Sequence, residues 1–283
     1  MLKTNMRIGP RTNQIIAYIL LLVITTITIL VLFFIIGYIF KNGFGQLSWQ
    51  FLTDKIREMG KEGGIFPSIL GTLLVTVCAI IIATPLGVGS AVYLVEYTRE
   101  GLVRRIISFG ADCLAGVPSI IFGLFGFIFF VIKLNLGWSI ISGGLTLAVM
   151  ILPTIIRTSE EAIKAVPHTY REISYSLGGG KLDTILKVVL PTSLPGILTG
   201  VILGIGRAVG ETAAVIFTAG SSLGMPTSLF SSTRTLAVHF YILAREGISM
   251  PKAYGTATVL IIIILLVNFI AYRLMHRFIA RYY

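Results

Sequence analysis

Charge is what this 283-residue sequence has least of: Asp, Glu, Lys and Arg together make up 12%, about half of the roughly 25% typical of a soluble domain. That shortage excludes an ordinary water-soluble fold. The complementary excess, 55% hydrophobic residues and a mean hydropathy of +0.91, leaves a lipid bilayer as the solvent. Cysteine is equally scarce. Cys78 and Cys113 lie within or at the edge of apolar stretches, without the spacing of a disulfide framework or a metal site, which leaves them a packing role. His168, His239 and His276 fall in three separate segments, so neither a metal cluster nor a proton relay is written there. An intramembrane enzyme would need a nucleophile with its base, or a His-Glu-x-x-His within a span, and neither is found. A nucleotide loop is missing too. Its nearest imitation, LGGGKL (Leu177–Leu182), has Tyr175 where the first glycine belongs, no hydroxyl after Lys181 and no preceding strand.

The formal charge of +11 raises nucleic acid as a partner, but a nucleic-acid binder gathers its cations on one water-facing surface. Here they separate the apolar runs, so no nucleic acid is expected. Stretches long enough to cross about 30 Å of hydrocarbon run from Ile15 to Phe40, Ser68 to Val95, Cys113 to Ile132, Gly137 to Ile156, Gly196 to Thr218 and Tyr254 to Tyr272. The sequence therefore predicts an all-α membrane protein, a polytopic helical bundle with about six transmembrane helices. The first run is too long for a signal-peptide core and no small-residue cleavage site follows it, so it is expected to be retained as an anchor. Three regions are expected: 1–62, a tail with the first span and an external loop; 63–275, the core; and 276–283, a tail.

The positive-inside rule orients the bundle. Lys3, Arg7, Arg11, Arg99, Arg104, Arg105, Arg157, Lys164, Arg171, Lys181, Lys187, Arg273, Arg277 and Arg281 share one side. Lys41, Lys55, Arg57, Lys61, Lys133, Arg234, Arg245 and Lys252 share the other, diluted by Asp54, Glu58, Glu62 and Glu246. The richer side is cytoplasmic, and it holds both termini. Of the 23 cations this leaves Arg207, inside the fifth span. On the outer side, residues 41–66 and 219–253 are long connections. The second contains TLAVHFYILAREG (Thr235–Gly247), with the spacing of a short interfacial helix. Such loops serve either as contacts for an external partner or as lids over the helix ends.

The longest cytoplasmic connection, residues 158–195, is punctuated like a docking element. Pro167 suits a first helical turn, Gly178–Gly180 a stop, and Pro191 and Pro195 a close before the next span. Between them the spacing predicts a helix from His168 to Leu177, with Tyr170, Ile173, Ser174 and Leu177 on one face and Arg171, Glu172 and Ser176 facing away. A second stretch, Leu182–Leu190, has its own apolar row in Ile185, Val188 and Val189. An ordinary amphipathic loop lying on the membrane surface is the alternative.

Arg207 sits near the bilayer midplane, where a lone Arg costs roughly 2.5 to 3.5 kcal/mol on insertion scales. Glu211, one turn on, shares its face. Either the two form a structural ion pair, or the face lines a wet pathway in which Arg207 meets an anion. In that case the planar guanidinium holds two oxygens and Glu211 tempers the affinity. Arg157, at the inner end of the fourth span, is equally a pathway residue or a topological cation. Ser119, after Pro118 in the third span, and Thr212, Ser221 and Ser222, near the end of the fifth, are hydroxyls that line a cavity or pack helices.

The stretch EISYSLGGGKLDTILKVVLP (Glu172–Pro191) resembles the EAA loop of ABC importer permeases. Glu172, Gly178, Leu190 and Pro191 match, Ile173 and Ser174 replace the alanines, and Val188 replaces the isoleucine. In that family the short helix enters a groove of the ATPase subunit, a helix-in-groove mode of recognition. From about Gly63 onward, GVPSIIFGLFGF (Gly116–Phe127), LPTIIRTSEEAIKAVP (Leu152–Pro167) and GRAVGETAAVIFTAG (Gly206–Gly220) resemble the phosphate-importer permeases of the PstA type. The resemblance implies a type I ABC importer permease (MetI-like) fold and a bacterial inner-membrane location. It implies as partners a PstC-type permease, a PstB-type ATPase dimer that uses ATP and Mg, and an extracytoplasmic phosphate-binding protein. No cofactor is expected on this chain, and no catalysis. It also implies that Arg157, Arg207 and Glu211 line the phosphate route. A permease for another oxyanion and a secondary anion transporter are the competing functions. Against the latter, no internal repeat of the kind common in secondary transporters is found.

Overall fold

The computed structural model describes residues 10–98 and 101–282. The expected cytoplasmic cations Lys3, Arg7 and Arg99 lie outside them. Five helices are long and apolar enough to cross a membrane, and a sixth crossing results if the bent pair Arg104–Ala115 and Ser119–Lys133 is one span. This agrees with about six predicted spans.

Helix α1 (Pro10–Gly43) is apolar all round, and none of its most hydrophobic window is buried by the rest of the chain, as befits a helix solvated by lipid. A short α2 (Trp49–Thr53) follows, capped by Ser48, whose Oγ accepts from the Phe51 N–H at 3.1 Å. Next comes an external hairpin in which β1 (Ile56–Arg57) pairs antiparallel with β2 (Glu62–Gly63). Helix α3 (Phe66–Val92) ends in a π-helical turn, Tyr93–Tyr97. Then come α4 (Leu102–Ala115), α5 (Ser119–Gly126, continued by π-helical residues to Lys133), α6 (Ile140–Lys164) and α7 (His168–Ser176). A short α8 (Lys181–Thr184) runs through π-helical Ile185–Val189 into α9 (Leu190–Val209). The chain closes with α10 (Ala213–Thr218), α11 (Leu236–Arg245) and α12 (Met250–Tyr282). The last helix runs on through the segment expected as a tail.

The core forms where α3, α6 and α9 lie side by side. Val75, Ala79, Ala83, Leu147, Met150, Ile151 and Ile155 are buried there with Phe122 and Ala208. Lipid supplies no hydrophobic drive between helices, so close approach through small residues matters. A Cβ on Gly144 of α6 would lie 2.5 Å from the Cys78 Sγ of α3, which gives Cys78 the packing role expected of it.

Four features depart from the sequence expectation. The run Cys113–Ile132 is not one straight span: the chain turns by 100° between Ala115 and Ser119. Pro118 has no N–H to give and drives the residue before it out of the helical region. It therefore sits at the cap of α5 and frees no backbone groups in mid-span. The fifth span is also broken, at Gly210–Thr212 between α9 and α10. Conversely, Pro191 and Pro195 close nothing, because Lys181–Val209 is one continuous helix of 29 residues. The π-helical turn before Pro191 rearranges the carbonyls that a proline would otherwise orphan. Finally, the predicted helix within Thr235–Gly247 exists as α11, but it is not interfacial. Leu236, Val238, His239 and Leu243 are buried, and the Leu236 N–H donates to Thr72 Oγ1 of α3 at 2.8 Å.

Candidate functional site: a half-buried arginine and an exposed coupling helix

Packing fixes the levels of the candidate residues. Along the antiparallel pair α6 and α9, Gly196 abuts Ala162, Gly200 abuts Thr158, and Gly204 abuts Ile155 and Ile151. Arg207 therefore lies about 10 Å further along the axis than Arg157, at 1.5 Å per residue. Helices α5 and α10 run parallel, because Gly123 meets Ala214 and Gly126 meets Thr218. Ser119, one turn before Gly123, is thereby brought to the level of Gly210–Thr212. The structure thus gathers Arg207, Glu211, Thr212 and Ser119 at one depth, each half-buried, and leaves Arg157 at another.

Arg207 occupies the last turn of α9. Among the described residues it has no hydrogen bond or ion pair. Glu211 is not its partner, because the helix ends before the i, i+4 geometry is completed. The Glu211 carboxylate instead accepts the Ala214 N–H at 3.1 Å, holding one of the orphan donors at the start of α10. A half-buried guanidinium with open donors beside a helix break can bind an oxyanion bidentately without first giving up a carboxylate. Ser221 and Ser222 lie beyond α10, both exposed, and join no part of this group.

Arg157 is fully engaged. Its Nε donates to Asp112 Oδ1 at 2.8 Å, its Nη1 to Glu160 Oε2 at 3.0 Å and its Nη2 to the Ser108 carbonyl at 2.8 Å, with a further bond to Asp112 Oδ2. Glu160 is buried and also meets Lys164 at 2.7 Å and Arg104 at 3.4 Å. The network ties α4 to α6. Asp112 and Glu160 are not among the residues expected from sequence, although the i, i+3 and i, i+4 spacing of Arg157, Glu160 and Lys164 is legible there.

On the cytoplasmic loop, α7 spans His168–Ser176, as the spacing predicts. It ends in a Schellman turn: the Gly179 N–H donates to the Ser174 carbonyl at 2.9 Å, the Gly178 N–H to the Tyr175 carbonyl at 3.0 Å, and Gly178 takes φ +83°. The Ser174 and Thr184 hydroxyls, 2.8 Å apart, tie this turn to α8. Tyr170, Ile173, Glu172 and Leu177 are exposed, Leu177 by 84%. Tyr170, Ile173, Ser174, Leu177 and Gly178 border an open concavity of about 530 Å³ with Gly179, Asp183, Lys187 and Val188. Leu190 and Pro191 are not part of it. They line an apolar groove with Ile80, Pro85 and Leu194. Arg171, on the side of α7 expected to face away from Tyr170, Ile173 and Leu177, is buried and paired with Glu96 at 2.7 Å. Glu96 was also missed, yet a lone acid in YLVEY (Tyr93–Tyr97) carries the same signal that exposed Arg207.

Comparison with known proteins supplies the family. Residues 83–282 match the model of the binding-protein-dependent transport system inner membrane component. The chain is 35% identical, over 83% of its own length and 85% of the relative's, to the probable ABC transporter permease protein YqgI of Bacillus subtilis (strain 168). It is 34% identical, over 77% and 72%, to the phosphate transport system permease protein PstA 1 of Mycobacterium tuberculosis (strain CDC 1551 / Oshkosh). A solved structure of the MetNI methionine ABC transporter in an inward-facing conformation superposes with a TM-score of 0.62 at 21% identity, covering 75% of this chain and 94% of that one. That likeness establishes the MetI-like fold. The chain belongs to the binding-protein-dependent transport inner membrane components, the multi-pass permeases of ABC importers.

Proposed function

We propose that this chain is the transmembrane translocation subunit of an ATP-driven inorganic phosphate importer in a bacterial cytoplasmic membrane. It has no catalysis of its own, and both termini are cytoplasmic. The reading rests on Arg207, a half-buried cation with open donors inside a spanning helix, in a chain related over most of its length to phosphate permeases. Intramembrane cations are functional by default, and phosphate offers Arg the two oxygens its fork accepts. Glu211 orders the start of α10 beside it, and Ser119 and Thr212 are the hydroxyls at the same depth.

In this reading α7 inserts the face of Tyr170, Ile173 and Leu177 into the groove of a PstB-type ATPase, with Glu172 as an exposed charge for that partner. The ATPase hydrolyses ATP with Mg. A PstC-type permease completes the pathway, and an extracytoplasmic binding protein delivers phosphate. Vesicles holding this chain with those partners should accumulate phosphate only when ATP is supplied, with sulfate and molybdate competing poorly. Equal competition by either oxyanion would move the cargo to another member of that class. Uptake driven by an ion gradient without ATP would replace the reading with a secondary transporter.

A further inference from the structure

Of the nine residues of α7, Arg171 is the one that is buried. A surface helix ordinarily anchors itself through an apolar stripe, yet here the apolar residues point outward and an arginine points in. Every nitrogen of its planar fork is hydrogen-bonded. Nε and Nη2 donate to Glu96 Oε1 at 3.1 and 2.7 Å, Nη1 donates to the Val166 carbonyl at 2.8 Å, and Nη2 also donates to the Ile163 carbonyl at 3.1 Å. Glu96 lies in the π-helical end of α3, while Ile163 and Val166 lie at the C-terminal end of α6, where the helix dipole favours a cation.

We infer that Arg171 and Glu96 are the transmission joint of the transporter, positioning residues that carry displacement of α7 into α3 and α6 together. This rests on α7 being the ATPase-docking helix. The argument is mechanical. An apolar contact is non-directional and lets a helix slide or roll, whereas a guanidinium held by three acceptors in a fixed fork resists translation and rotation alike. The Ser174–Thr184 bond links α7 to α8, and among the described residues Arg171 is the α7 side chain hydrogen-bonded both to the π-helical end of α3 and to α6. Those two helices form the main wall of the core, and moving their inner ends in step tilts the wall as a unit. Arg171 touches no substrate in this scheme. Its service is to keep ATP hydrolysis and transport in step.

The test uses the assembled transporter in vesicles and compares Glu96→Gln and Arg171→Lys with the parent. Glu96→Gln keeps the side-chain shape but lowers the strength of the joint. Arg171→Lys keeps the charge but cannot reach three acceptors at once. Both variants should co-purify with the ATPase and hydrolyse ATP near the parental rate, while phosphate moved per ATP falls about tenfold, the range in which intermediate residues modulate coupling. Arg171→Lys should be the milder of the two. Unchanged phosphate per ATP in both variants overturns the inference, and so does loss of the ATPase from both complexes, which would make Arg171 a docking anchor instead. Leu177→Glu separates the two layers. If it still co-purifies with the ATPase in full yield, the docking role of α7 fails, whatever the joint variants do.

Discussion

Arg157 and Arg207 are the same side chain on two antiparallel helices packed against each other, and their surroundings are opposite. Every nitrogen of Arg157 is bonded, to two carboxylates and a carbonyl. Arg207, about 10 Å along the axis, has none of these. A guanidinium that already holds Asp112 and Glu160 must break charge-assisted bonds before it can receive an anion. One that holds nothing starts binding without that cost. Residue type and membrane depth therefore do not separate a pathway cation from a structural one, but the inventory of occupied donors does. By that measure we propose Arg207, not Arg157, as the phosphate contact, while Arg157 is the clasp between α4 and α6.

The largest effect that sharpens this contrast is expected at Arg207. Arg207→Gln should lower ATP-driven phosphate uptake by about 100-fold or more, the scale of a lost charged contact, with the chain still assembling and unfolding at the parental temperature. If assembly fails while residual uptake per assembled complex is normal, the contrast is broken, because Arg207 would then be holding helices. Arg157 should behave the other way round. Arg157→Gln leaves the buried Glu160 with fewer cations and should destabilise the chain by about 2 kcal/mol, with only modest loss of uptake in correctly assembled complexes. Asp112→Asn, at a carboxylate 62% exposed, should cost less than about 1 kcal/mol. A severe transport defect in a fully stable Arg157→Gln variant would return Arg157 to the route.

The smallest expected effect concerns a third basic residue that is buried without a partner. His239 of α11 packs under Gly60 of the external hairpin, and among the described residues its Nδ1 has no hydrogen-bond partner. Burial, with Arg234 and Lys252 adding repulsion, lowers its pKa from 6.5 to about 3. The folded chain therefore keeps the ring neutral where an unfolded chain would protonate it. Between those two values the unfolded state binds the extra proton, so this contribution to stability is complete above about pH 6.5 and is lost as pH falls toward 3. Detergent-solubilised transporter should show a lower unfolding temperature at pH 5 than at pH 7.5, and His239→Gln should flatten that dependence. An equal slope in the variant would mean that other groups carry it.

The sequence exposed what depends on composition and spacing along one element. The apolar runs located the spans, the punctuation by Pro167 and Gly178 located α7 and its turn, and a lone charge in an apolar run located Arg207. What stayed hidden depends on contacts between distant elements or on backbone geometry. Asp112, which pairs with Arg157, and Glu96, which pairs with Arg171, are 45 and 75 positions away. The break at Gly210–Thr212 adds one acid to an apolar run, and a single charge there does not say that the helix stops. The helix through Pro191 and Pro195 continues because the preceding turn widens, and no pattern of residue types announces that.

That uninterrupted helix makes a lever of the stretch from Lys181 to Val209. Its 29 residues measure roughly 43 Å, so tilting the rod by about 5° around one end sweeps the other through about 4 Å. One end is tied by the Ser174–Thr184 bond to the turn that follows α7, and the other carries Arg207. A tilt of about 5° about the cytoplasmic end is, by this geometry alone, enough to move the guanidinium out of hydrogen-bonding range of an anion fixed beside it. Beside the joint at Arg171 and Glu96, α7 therefore has a second mechanical route to the depth of Arg207, along the backbone of this one helix.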